Sequence, residues 1–242
     1  MIFKVKRTNN FTMDNLPKHI AIIPDGNRRW AKKNGLPTFL GHQQGYNRSI
    51  ELAKKARNLG IKVLTFWAFS TENWKRKKDE VSYLMSLYYQ MIEKNIKEAL
   101  KEKIRIVHLG RKDRISSKLR LKIIEAEEKT KKFEKYYLAI ALDYGGQDEI
   151  LRAVEKLKLS KIDLKDLSEK EFSRFLDTKD IPHPYPDLVI RTSGEVRTSG
   201  FMTWQTTYSE WIFYPKYFPD FGSADLEKCI EEYKKRQRRF GV

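Results

Sequence analysis

The chain has 242 residues, 40% hydrophobic and 12% aromatic, which is enough apolar material for a core and too much for a disordered tail. No apolar run approaches the roughly 18–20 residues of a membrane span, and the start MIFKVKRTNN lacks a long apolar stretch and a small-residue cleavage site, so a cytoplasmic protein is expected. A single cysteine, Cys229, excludes an internal disulfide, and the net charge of +17 points to a polyanionic partner: nucleic acid, an anionic membrane surface or a phosphorylated substrate.

In chain order, the pattern predicts a strand over 19–24, a helix over 46–59, a strand over 63–69 and a helix over 80–101. Further strands are expected over 104–109, 137–142 and 188–190, with a weaker one over 211–213. In the second helix Val81, Leu84, Met85, Tyr88, Met91, Ile92, Ile96 and Leu100 recur at helical spacing between charges. Its apolar stripe, with Tyr83 and Leu87, reads either as plain core or as one wall of a cavity for a long apolar ligand. Strands separated by helices of this length imply an α/β fold, a single domain with a mainly parallel central sheet flanked by helices. In such sheets ligands collect beyond the carboxyl ends of the strands.

Four polar, glycine-bearing turns follow the strands. After the first comes Asp25-Gly26-Asn27-Arg28-Arg29, where Gly26 allows a tight turn and the arginines suit a diphosphate. Asp25 would repel such a ligand unless a Mg²⁺ lay between them; the alternative is that it only caps the following helix. After the second strand, Ser70-Thr71-Glu72-Asn73-Trp74-Lys75-Arg76 reads as a lid or an ordinary exposed loop, with Glu80 one helical turn on. Asp143-Tyr144-Gly145-Gly146 follows the fourth. The fifth is followed by Arg191 and Arg197 among the hydroxyls of Thr192, Ser193, Thr198 and Ser199, which resembles a second anion clamp. Glu210, a little further on, is a candidate second acidic group near a metal or a salt-bridge residue. No Walker loop, HExxH, GxSxG or GxGxxG occurs, and no protein nucleophile stands out.

The segments PDGNRRWA (24–31), GHQQG (41–45), FSTENWKR (69–76), DYGG (143–146) and IRTSGEVRTSGFMTWQ (190–205), followed by Tyr208-Ser209-Glu210, resemble the cis-prenyltransferase family in order and spacing, from about His19 to Gly241. The resemblance implies an undecaprenyl diphosphate synthase-like fold with a hydrophobic tunnel, a catalytic domain over 19–242 preceded by an N-terminal extension over 1–18. It implies condensation of isopentenyl diphosphate with an allylic diphosphate such as farnesyl or geranylgeranyl diphosphate, with Mg²⁺, to a Z-polyprenyl diphosphate that is the precursor of a glycosyl carrier lipid. On that resemblance Asp25 is the metal-site aspartate and Glu210 the second acidic position. Gly26, Asn27, Arg28, Arg29 and His42, with Arg76, hold the allylic diphosphate. Asn73 is catalytic, and Ser70 and Glu80 belong to the loop of proton removal. Arg191, Arg197 and Ser199 hold isopentenyl diphosphate, together with a C-terminal RxG element, Arg239 and Gly241, that reaches into the neighbouring subunit of a homodimer.

Four departures accompany the match: Thr38 where many relatives carry arginine, Asp143 where asparagine is common, Gln147 where arginine is common, and Gly200 where Asn or Asp is usual. Two readings from other classes are a non-catalytic partner subunit, which the retained aspartate and substrate motifs disfavour, and a nucleic-acid binder, for which no RNP, zinc-finger or helix-turn-helix signature exists. No nucleic acid is therefore expected as partner, and the excess positive charge is expected to favour peripheral contact with anionic membrane near product release. Ala68 would leave room in the expected tunnel, whereas Tyr83 and Tyr88 would narrow it.

Overall fold

The computed structural model describes residues 15–236. Its centre is one six-stranded sheet built from β1 (His19–Ile23), β2 (Val63–Ser70), β3 (Ile104–Leu109), β4 (Tyr136–Tyr144), β5 (Leu188–Arg191) and β6 (Glu210–Phe213), in spatial order β3-β4-β2-β1-β5-β6. Every neighbouring pair is parallel. Seven helices accompany it: α1 (Asn27–Lys33), α2 (Thr38–Asn58), α3 (Lys78–Lys101), α4 (Ser117–Thr130), α5 (Gly146–Lys158), α6 (Glu169–Ser173) and α7 (Ser223–Lys235).

The near-continuous apolar strands follow from burial on both faces. Alternate residues of one strand feed two different cores. Ile20, Ile22, Leu64, Phe66, Leu188 and Ile190 pack with Leu52 and Ala56 of α2 and Leu226 and Ile230 of α7. Ala21, Ile23, Val63, Ala139, Ala141 and Val189 meet Phe201 and Met202 on the other side. Each fully buried Ile or Leu contributes roughly 1.5–3 kcal/mol, so a polar substitution at Ile20 or Ile22 would weaken the layer that side chain feeds. Among the described residues no helix is long and apolar enough to cross a membrane.

The expected strands all form. The helix expected over 46–59 starts earlier than that: α2 begins at Thr38 and runs through the GHQQG segment. The reason is a close approach of α1 and α2. A Cβ at Gly41 would lie 2.2 Å from the Asn27 carbonyl oxygen, and one at Gly45 would lie 2.4 Å from Asn27 Oδ1, so both glycines are contact surface rather than turn.

The chain moves outward from β1 through β2 to β3 and β4, then returns to add β5 and β6 on β1's other side. The reversal falls between β1 and β5, which is where an open parallel sheet leaves a crevice at the carboxyl ends of its strands.

Candidate active site

That crevice holds the chemistry. Asp25 follows β1, and its backbone is fixed because its carbonyl accepts from Thr192 Oγ1 at 2.7 Å and from the Phe218 amide at 3.0 Å. The next residue, Gly26, has φ 105° and caps α1; a Cβ there would come within 2.8 Å of the Tyr217 ring, so the turn admits only glycine. The capping alternative for Asp25 falls away, because its carboxylate points across the crevice. Oδ1 accepts from Arg29 Nη2 at 3.1 Å and Oδ2 from Arg191 Nη2 at 3.0 Å. Burial opposes ionisation of this carboxyl, but the guanidiniums of Arg191 and Arg29 outweigh it and hold the pKa below the usual carboxylate value.

Arg191, at the end of β5, is 5% exposed. It also donates to the Arg197 carbonyl at 2.5 Å and to Ser199 Oγ at 2.8 Å, while its Nε is buried without a partner among the described residues. Arg29 reaches Ser193 Oγ at 2.6 Å and Glu195 at 2.7 Å, and lies over the Tyr217 ring. Glu195 is shared with Arg197, and the two arginines hold its carboxyl below the usual range, Arg197 foremost. A second cluster centres on Glu80 of α3, whose Oε1 receives Arg76 at 3.0 Å and His42 Nε2 at 3.2 Å, with Arg28 at 4.0 Å. Burial lowers the His42 pKa and Glu80 only partly restores it, so the ring is neutral near pH 7.

Both clusters open on one cavity of about 1000 Å³, at the upper end of the range for small-molecule sites. Asp25, Gly26, Asn27, Arg28, Arg29, His42, Ser70, Asn73, Arg76, Arg191 and Ser199 all line it, and its deeper wall is Phe66, Leu84, Leu87, Tyr88, Met91 and Ile140. The α3 stripe is therefore core and cavity wall at once: Leu84, Leu87 and Tyr88 are buried and face the space. Asn73 sits in a 3₁₀ turn over 71–75 and its Oδ1 accepts from the Ser70 amide at 3.1 Å, so the segment expected to be a lid or an ordinary exposed loop is an ordered turn.

Several expectations change in space. Glu210 opens β6 and pairs in register with Leu188, the first residue of β5, whereas Arg191 pairs with Phe213. Three strand steps, roughly 10 Å, separate it from the Arg191 end. Within one chain it is thus on the opposite rim of the sheet from Asp25, held by Arg236 at 2.9 Å. Arg197 contributes a backbone carbonyl to Arg191 while its side chain, 59% exposed, pairs with Glu195. The DYGG turn supports the site rather than lining it. Tyr83 donates to the Phe39 carbonyl at 3.2 Å and does not narrow the cavity. Arg239 and Gly241 lie outside the described residues. Glu195 and Tyr217 escaped the sequence reading; a carboxylate between two arginines in RTSGEVRTS was the one available signal.

Among the described residues no three His, Cys, Asp or Glu side chains converge as a metal cluster. Asp25 is nevertheless suited to Mg²⁺ in one setting, since this ion is usually held by one or two carboxylates together with substrate phosphate oxygens. The guanidiniums around it and the partnerless Arg191 Nε supply the donors that such phosphates need.

A family profile described as "Putative undecaprenyl diphosphate synthase" matches residues 23–241. An isoprenyl transferase of Thermotoga maritima is 48% identical over 228 residues, covering 93% of this chain and 97% of that protein. A ditrans,polycis-undecaprenyl-diphosphate synthase of Micrococcus luteus, described as specific for (2E,6E)-farnesyl diphosphate, is 42% identical over 242 residues and covers 98% and 96%. Among solved structures, lavandulyl diphosphate synthase from Lavandula x intermedia, in complex with dimethylallyl diphosphate, superposes with a TM-score of 0.91 at 37% identity over 94% of this chain and 99% of that one.

Proposed function

The chain belongs to the undecaprenyl diphosphate synthase family of cis-prenyltransferases and is an isoprenyl transferase, and from that premise we propose that it adds isopentenyl diphosphate units to an allylic diphosphate of farnesyl or geranylgeranyl length. The product is a Z-polyprenyl diphosphate, the precursor of a glycosyl carrier lipid. The observation that carries this reading is the coincidence of two charge clusters and one apolar wall in a single cavity.

Arg28, Arg29 and the α1 turn hold the allylic diphosphate with His42 and Arg76, its hydrocarbon tail lying against Leu84, Leu87, Tyr88 and Met91. Arg191, Arg197 and Ser199 hold isopentenyl diphosphate on the β5 side. Mg²⁺, when bound at Asp25 with phosphate oxygens, supplies Lewis-acid stabilisation for the departing diphosphate. The guanidiniums neutralise charge that develops on the leaving group, and the buried wall keeps water from the allylic cation. The alkene of isopentenyl diphosphate is the nucleophile, so none is required of the protein. Asn73 and Ser70 belong at the point of proton loss. Glu80, already engaged by the cations of Arg76 and Arg28 and by the neutral His42 ring, orients His42 and Arg76 rather than taking that proton.

Each added unit buries about five carbons, at roughly 0.8 kcal/mol per methylene, so the grip tightens as the product grows and release is slow. Contact of the basic surface with anionic lipid would favour that release. The homodimer and the roles of Arg239, Gly241 and Glu210 belong to this same proposal. Incubation with labelled isopentenyl diphosphate, Mg²⁺ and primers of graded length, followed by product sizing, tests it; no primer-dependent product would defeat it.

A further inference from the structure

Asp143 stands one residue before the end of β4, wholly buried, with a left-handed φ of 53° that aspartate tolerates better than most residues. Its carboxylate serves two partners from elsewhere in the chain. Oδ1 accepts from Trp74 Nε1 at 2.8 Å, and Arg114, on the connection between β3 and α4, engages both oxygens, with Nε at 2.9 Å from Oδ2. Trp74 also packs edge-on against Phe69, with ring centroids 5.2 Å apart. Its neighbours Asn73 and Arg76 line the cavity.

The turn over 71–75 is thus held at three points. Ser70 and Asn73 close its start, the Arg76–Glu80 contact closes its end, and Trp74 ties its middle to the sheet. Glu72, Lys75, Lys77 and Lys78 around these points are exposed and add no packing. A carboxylate buried this fully needs a cation, and the two-pronged Arg114 contact supplies it.

We propose that Asp143 and Arg114 are positioning residues, a buried carboxylate paired with a guanidinium that is 40% exposed, and that this pair tethers the indole of Trp74 and thereby holds Asn73 and Arg76 at the mouth of the cavity. The proposal rests on the cavity being the condensation site.

Its test compares Arg114→Leu, Trp74→Phe and the double variant Arg114→Leu/Asp143→Asn. Arg114→Leu strands the carboxylate, Trp74→Phe removes only the indole donor, and the double variant keeps an amide oxygen for Trp74 with no charge left unpaired. Backbone amide exchange over 70–76, which needs no substrate, rises in both single variants and returns towards wild type in the double. In steady-state assays both single variants raise KM for the allylic primer about tenfold, with KM for isopentenyl diphosphate unchanged, and the double variant recovers most of that loss. General destabilisation would reduce the active fraction without that split. Unchanged exchange and primer KM in Trp74→Phe, or a double variant no better than Arg114→Leu, overturns the proposal; should Arg114→Leu fail to fold, Trp74→Phe and the double variant decide alone. If the wild-type protein extends no primer, the functional reading fails, and the exchange measurement still decides the tether.

Discussion

The carboxylate of Asp25 bridges Arg29 and Arg191, taking Nη2 of each on a different oxygen at 3.1 and 3.0 Å. One arginine lies on α1 and the other ends β5, so a single acidic side chain joins the two halves of the sheet at the point where strand order reverses. The same contact sets the site's charge balance: on the proposed function, Asp25 is the negative group with which a diphosphate would compete for Arg29 and Arg191.

Asp25→Asn is expected to lower kcat by about a hundredfold or more, the scale of losing one electrostatic element of an active site. A binding measurement separates charge from fold. With Mg²⁺ chelated, Asp25→Asn should bind inorganic pyrophosphate at least as tightly as wild type, because a repelling carboxylate is gone; with Mg²⁺ present wild type should gain affinity and the variant should not. Isothermal titration in EDTA and in Mg²⁺ reads both, and equal Mg²⁺ dependence in the two proteins would refute a metal role for Asp25.

Arg197 and Arg191 should respond in opposite ways to truncation. Among the described residues the Arg197 guanidinium, mostly exposed, pairs with Glu195 alone, so Arg197→Ala should raise KM for isopentenyl diphosphate about tenfold with little change in melting temperature. Arg191 is buried and ties Asp25 to the 197–199 backbone, so Arg191→Ala should cost about 3–5 kcal/mol as well as activity, through the partners it strands. Thermal denaturation beside initial rates distinguishes them; equal loss of stability in both would contradict the assignment.

Acid sensitivity should come first from histidines. His19 is fully buried between Thr65 Oγ1 at 2.7 Å and the His183 carbonyl at 2.8 Å, and burial pushes its pKa from 6.5 down to about 4. Its folded pKa lies below its unfolded value, so its contribution is fully present above pH 6.5 and is lost as pH falls towards about 4. The size is of the order of 3 kcal/mol. His108, lowered by burial to about 3, acts with the same sign. Denaturant melts from pH 8 to 4 should show stability falling through this window, and His19→Gln should flatten part of the slope. A pH-independent stability in wild type would be the contrary result.

How much of this was visible in the residues depended on range. The strands were legible because parallel strands buried on both faces need contiguous apolar runs, and the polar turns that line the cavity because they follow those strands directly. The place of Glu210 was hidden because a residue near a strand does not announce which end it occupies; register with Leu188 puts it at the start. The first two turns of α2 were hidden because glycines that permit helix contact look like glycines that permit a turn. Arg29–Glu195 and Trp74–Asp143 join residues 166 and 69 apart, a relation no local pattern carries.

Product length should answer to the deep wall. Ala68 lines the cavity and its carbonyl accepts from Tyr88 Oη at 2.5 Å, so a larger side chain there has the fixed Tyr88 ring as neighbour and the cavity as its open side. Ala68→Leu therefore fills space that a growing chain would occupy, at an overpacking cost of about 1–3 kcal/mol if the leucine cannot turn into the void. Products should shorten by one or more isoprene units while the first condensation, which occurs at the polar mouth, keeps its rate. Tyr88→Phe removes the hydroxyl and leaves the ring, so it should alter stability by about 1 kcal/mol and product length hardly at all. Thin-layer sizing of labelled products under single-primer conditions reads both variants, and an unchanged product distribution in a folded Ala68→Leu enzyme would place the hydrocarbon somewhere other than this wall.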